Sequence, residues 1–192
     1  MKFLSVLIFS FSLSPLVMAE TAPTKEQIKA FQVVGEETNK VSRTGAAYAL
    51  NMIKDNGKLA PFALIMNNDG STGKLEAASE FITNAPTSEK IAYLRGQIKH
   101  FAEKNKIKAG ALFSRGFGRT SSFTEDVAGL IIEMEHRHGA STLQFVPYEL
   151  KDEKIMALKA TSKPKPRLFF NTLISSDETY KSIKKAVQQA EK

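Results

Sequence analysis

The chain predicts an α+β fold, with a central antiparallel sheet of about five or six strands flanked by a long N-terminal helix, a middle helix and a C-terminal helix. Three observations predict it. Apolar residues recur at helical spacing from Thr24 to Asn56 and again from Thr87 to Phe101. From Ile107 to Tyr148 the period changes to that of a strand, with turn chemistry at His138-Gly139. Two short apolar runs bounded by turn residues, Phe62 to Met66 and Leu168 to Ile174, read as buried strands.

Residues 1 to 19 have the form of a secretory leader: Met1-Lys2, the apolar run Phe3 to Phe11, helix-breaking Pro15, and small residues Val17 and Ala19 at the cleavage positions. The run is shorter than the ~20 residues a spanning helix needs. The expectation is therefore cleavage, a single domain from Glu20 to Lys192, no integral membrane segment after cleavage, and a secreted or periplasmic destination.

The first helix carries Ile28, Phe31, Val34, Val41, Ala46, Ala49, Leu50 and Ile53 on one stripe. Thr24 and Gln27 make a capping box and Gly57 supplies a left-handed stop. Gly35 and Gly45 each weaken it by up to ~1 kcal/mol relative to alanine and make a kink or a two-piece helix an expectation to test. Asn67-Asn68-Asp69-Gly70 then turns the first strand into a short polar edge strand near Ser71 to Leu75.

The middle helix begins near Thr87 after Pro86, with Ile91, Leu94, Ile98 and Phe101 on one face, and fades at Lys104-Asn105-Lys106. Ile107, Ala109, Ala111 and Phe113 alternate with Lys108, Gly110, Leu112 and Ser114, as in a strand with one strongly buried face. A hairpin follows from about Asp126 to Tyr148. With His138-Gly139 as its loop, Arg137 faces Ala140, Met134 faces Leu143, Ile132 faces Phe145 and Glu133 faces Gln144. Leu130, Ile132, Met134, Leu143 and Phe145 would then meet the core, and Glu133, Glu135, Arg137, Thr142 and Gln144 the solvent. Pro147 is expected to end the strand or sit on a sheet edge. Lys151 to Lys165 reads as an extended surface connection, with a turn of structure at Ile155 to Leu158. The C-terminal helix starts at Ser175 or Ser176 and buries Tyr180, Ile183, Ala186 and Val187.

This order of elements resembles the profilin-like and roadblock-like folds, and the Asn68-Asp69-Gly70 hairpin is similar to the one those folds place between their first strands. The resemblance implies a scaffold for binding proteins or small ligands; the intracellular role of roadblock proteins conflicts with the leader. Glu135-His136-Arg137-His138-Gly139 followed by Val146-Pro147-Tyr148 also resembles a hairpin of small uncharacterised bacterial secreted proteins, from which no residue role is carried over.

The absence of cysteine excludes a disulfide framework, thiol catalysis and thiolate zinc sites. Formal charge is +7, or +6 once Lys2 leaves with the leader, which favours acidic surfaces such as anionic lipid headgroups or acidic polymers. Nucleic acid is not expected. Arg115-Gly116-Phe117-Gly118 matches the opening of an RNA-recognition signature, but Arg119-Thr120-Ser121-Ser122 follows where stacking aromatics are needed. Neither a Gly-x-Ser-x-Gly elbow nor a nucleotide-phosphate motif occurs.

Two clusters remain. Ser114 to Ser122, with Arg115, Arg119, two glycines and four hydroxyl side chains, has the composition of an anion-binding loop, and more readily that of an empty mobile one. The hairpin carries Glu133, Glu135, His136 and Arg137. Paired carboxylates suit acid–base work, yet ion pairing with Arg137 on a solvated face accounts for them too. Strand alternation points both glutamates away from His136, and a metal needs three or four converging ligands, for which His100 would have to be brought in by the fold. No metal, cofactor or catalytic residue is assigned. The expected function is an exported, non-catalytic module binding a protein partner, an acidic ligand or an acidic surface through Arg115, Arg119, Glu133, Glu135, His136 and Arg137. The alternative is a small secreted hydrolase or metal-dependent enzyme using Glu133, Glu135 and His136. A third reading is assembly through the first helix, whose Gly45-Ala46-Ala47-Tyr48-Ala49 stretch permits close packing.

Overall fold

The first helix starts and stops where local chemistry dictates. In a computed structural model describing residues 24–119, 125–151 and 154–170, α1 (Lys25–Asn56) runs uninterrupted for 32 residues, about 48 Å at 1.5 Å per residue. The Thr24–Gln27 capping box is formed in both directions, and Gly57 closes the helix in the left-handed region at φ 65°. Gly45 does not break it. The glycine makes room for the ring of Phe113, which stacks on Phe62 at 4.9 Å and 8° and occupies the space a Cβ would need.

The strands β1 (Phe62–Asn67), β2 (Thr72–Glu76), β3 (Ile107–Gly118), β4 (Val127–His136), β5 (Ser141–Lys151), β6 (Lys154–Ala157) and β7 (Thr161–Pro164) form one antiparallel sheet. Its order is β2-β1-β3-β4-β5-β6, with β7 also on β5. A short α2 (Glu80–Thr83) and α3 (Thr87–Glu103) carry the chain from edge strand β2 across to β3. The fold is α+β.

Both faces of the sheet are covered. On one, Val41, Ala49 and Ile53 of α1 pack on Phe62, Leu64, Met66, Ala109, Ala111, Phe113, Leu130, Ile132, Met134 and Tyr148. On the other, Leu94, Ile98 and Ala102 of α3 pack with Phe169 and Phe170 on Ala63, Ile65, Ile107 and Leu112. The expectation of one solvated face on the β4–β5 hairpin is thus corrected: Glu133 and Glu135 are buried. A helix, a sheet and a further layer make β1 and β3 continuous apolar runs, as burial on both sides requires.

The hairpin register is shifted by one residue from the expected one. Glu135 pairs with Ser141, Glu133 with Leu143 and Ile131 with Phe145. The loop holds three residues, Arg137-His138-Gly139, because His136 N–H donates to the Ala140 carbonyl at 2.8 Å and Gly139 takes a φ of 118°. A slip of one residue exchanges the faces of a strand. Leu143 and Phe145 therefore leave the α1 face, and Gln144 joins it, accepting from the Ser42 hydroxyl at 3.0 Å.

Other expectations change similarly. Pro147 does not end β5; it sits where β7, paired to Thr142–Phe145, gives way to β6, paired to Tyr148–Lys151. The expected connection from Lys151 to Lys165 contains those two strands, with β6 in place of a turn. The expected loop from Ser114 is strand as far as Gly118. Leu168 to Phe170 is not strand, because its backbone N–H groups go to a side chain. Residues 171–174 of that run, the leader, Thr120 to Ser122 and the C-terminal helix lie outside the described residues.

Candidate functional site

The polar side chains expected at the hairpin are drawn into internal contacts. His136, 1 % exposed, points to the α1 face, where its Nδ1 accepts from the His138 N–H at 3.1 Å. That leaves the proton on Nε2, which donates to Glu37 Oε2 at 2.8 Å. The other Glu37 oxygen takes the Lys108 ammonium. Burial pushes the His136 imidazole down to about 4, against the hydrogen bond and charge of Glu37 that act to raise it. Burial raises Glu37 as well, but the hydrogen bonds from Lys108 and His136 outweigh it and hold the carboxyl below the usual range.

A pH dependence follows. The unfolded chain protonates His136 near 6.5 and the native state only near 4, so stability is full above pH 6.5 and falls as pH drops through that window. The slope attributable to this group approaches 1.36 kcal/mol per pH unit, on the order of 3 kcal/mol in total. Urea midpoints at pH 7.5 and pH 5 should show the loss in the native protein and a smaller one in His136→Gln. An equal loss in both would remove His136 as its source.

On the opposite face, Glu133 forms a bidentate pair with Arg95 of α3 at 3.1 and 2.5 Å. Glu135, fully buried, accepts from Lys165 Nζ at 2.5 Å and from the N–H groups of Leu168, Phe169 and Phe170 at 2.7, 2.9 and 3.2 Å. Three successive N–H groups converging on an anion are a nest, here filled by the protein's own carboxylate. Arg137 donates to the Ile107 carbonyl at 2.5 Å and to Asn68 at 3.1 Å. Together these four residues tie the hairpin to α1, α3, the β1–β2 turn and residues 165–170. His100 lies on α3, across the sheet from His136, and among the described residues no group of three His, Asp or Glu could hold a metal.

The two arginines separate. Arg115 turns to the α1 side and donates to the Gly57 carbonyl at 3.1 Å, at the end of α1. Arg119 lines a half-open cleft of about 380 Å³ on the face that α3 covers elsewhere. Its floor is built from Ile131, Leu143 and Phe145, all half-buried. Glycine makes that floor flat: a Cβ on Gly116 would meet Ile131 Cδ1 at 2.4 Å, and one on Gly129 or Gly118 would meet the Phe145 ring at 2.4 or 3.1 Å. Phe117, 71 % exposed, stands at one rim with Arg119; Thr161, Ser162 and Lys163 of β7 form the other. Arg119 also pairs with Asp126 at 3.4 Å.

No protein-family model, no curated protein and no solved structure matches the chain. Function is therefore read from the geometry alone.

Sequence reasoning missed Lys163 and the whole floor. The signal was there in part: Gly116, Gly118 and Gly129 fall on facing positions of two adjacent strands, Gly116 directly opposite Gly129. Glycine inside strands marks a close approach. Lys163 had no such signal, since β7 is four exposed residues without alternation.

Proposed function

We propose that the chain is an exported, non-catalytic binding module that takes an acidic ligand in the Arg119–Lys163 cleft. The cleft carries this reading: an apolar floor between two cationic rims suits a molecule with an apolar body and a negative charge. The leader-like residues 1 to 19 and the charge of +7 support export and an anionic partner. Among the described residues no helix is long and apolar enough to cross a membrane. Because Glu133, Glu135 and His136 are each engaged by internal partners, binding is favoured over the hydrolase or metal-dependent reading.

Retention of the purified full protein on a heparin-like resin tests the proposal. Arg119→Ala with Lys163→Ala should elute at clearly lower salt than the native chain, because exposed cations act through screened charge. Arg115→Ala should elute close to native, since that side chain serves the end of α1. Unchanged elution of the double variant would overturn the cleft as the anion site.

A further inference from the structure

We infer that the ligand of this cleft is a medium-chain aliphatic carboxylate, its head held by Lys163 and Thr161 and its chain lying across Phe145 and Ile131 towards Gly118 of β3. This rests on the reading of the cleft as an anion site and goes on to name the class and the orientation.

The orientation comes from the sheet register. Ser114, Ile131, Phe145 and Thr161 form one row across β3, β4, β5 and β7, so their side chains share a face. Lys163 lies opposite Leu143 on that face. Thr161 and Lys163 are thus neighbours two residues apart on the same side of β7, one hydroxyl and one ammonium, both exposed. They can meet a carboxylate together. Arg119 is the poorer anchor, because its guanidinium already has the Asp126 carboxylate at 3.4 Å.

The class comes from the floor. Strands β3 and β7 are separated by β4 and β5, about 14 Å at 4.8 Å per strand. A single small anion cannot fill that span, and the surface between the rims is aliphatic and aromatic. Ile131 and Phe145 are laid flat by the glycines beneath them, leaving an apolar track that runs across the strands. Such a track rewards methylene groups: each one removed from water on it contributes up to about a fourfold gain in affinity.

The experiment is a calorimetric titration of the full protein with hexanoate, octanoate and decanoate, with decanol and inorganic sulfate as controls. Affinity should rise with each added methylene and be absent for sulfate. Decanol should bind at least about tenfold more weakly than decanoate, the loss expected for a missing charge-assisted hydrogen bond. Lys163→Met should weaken decanoate by a similar factor of about ten, and Arg119→Ala by less than about threefold. Both substitutions are at exposed positions, and unchanged circular dichroism will show that each variant folds. Equal affinity for hexanoate and decanoate, or for decanoate and decanol, would overturn the inference. If sulfate binds as well as decanoate and Lys163→Met abolishes both, the cleft is an anion site and only the aliphatic class fails. If no probe responds to Arg119 or Lys163, both this inference and the proposed function fail.

Discussion

Glu135→Ala is expected to lower the unfolding free energy by about 3–5 kcal/mol, the range for removing one partner of a buried ion pair. The substitution leaves the Lys165 ammonium, 9 % exposed, with only the Pro166 carbonyl at 3.2 Å, and the N–H groups of Leu168, Phe169 and Phe170 without their acceptor. The Phe169 and Phe170 N–H groups are buried, so they find water only if the segment lifts from the sheet, and the two rings would then leave the core beneath α3. Glu135→Gln should cost less, because a neutral oxygen still accepts from the nest. Adding Lys165→Met to that variant should recover part of the loss by removing the unpaired ammonium. Urea unfolding of the four proteins measures all of this; a Glu135→Ala midpoint within about 1 kcal/mol of native would show that the nest does not hold the segment.

Gly45→Ala and Gly35→Ala should act in opposite directions, although both replace glycine in α1. Helix propensity alone predicts a gain of up to about 1 kcal/mol at each. At Gly35 a Cβ meets nothing within 4 Å, so that gain should appear. At Gly45 it would sit 2.0 Å from Phe113 Cζ, inside a ring that is itself fully buried and stacked on Phe62. The helix must move off the sheet or the ring must leave its stack, and overpacking of this kind costs about 1–3 kcal/mol. Phe113→Leu should reverse part of the Gly45→Ala loss when the two are combined. If thermal unfolding shows both glycine variants to be stabilised, the contact between Gly45 and Phe113 is not as described.

The ends of α1 were legible because their causes are local. Thr24 and Gln27 are three residues apart, and Gly57 follows the last helical residue. The hairpin register was not: a two-residue and a three-residue loop both fit the local His138-Gly139 signal, and Arg137, the residue that distinguishes them, gives its N–H to the Lys108 carbonyl of β3, distant in the sequence. The same holds for the two glutamates. Their burial is offset by Arg95, 38 residues before Glu133, and by backbone groups 33 to 35 residues after Glu135, and no window along the chain contains both halves. Arg119 was singled out from composition and does line the cleft, whereas Arg115, from the same segment, faces the other side of the sheet. The fold class was open to periodicity; the candidate site depends on which strands become neighbours.

The filling of the nest by Glu135 also has an order in time. Ribosomes deliver β4 before residues 165–170, with 35 positions between Glu135 and Phe170. Until the later segment arrives, this carboxylate has neither its N–H donors nor its ammonium, and closing the layers over it would strand a charge in apolar surroundings. The buried environment of Glu135 is therefore complete only once Lys165 and the Leu168, Phe169 and Phe170 N–H groups are in place.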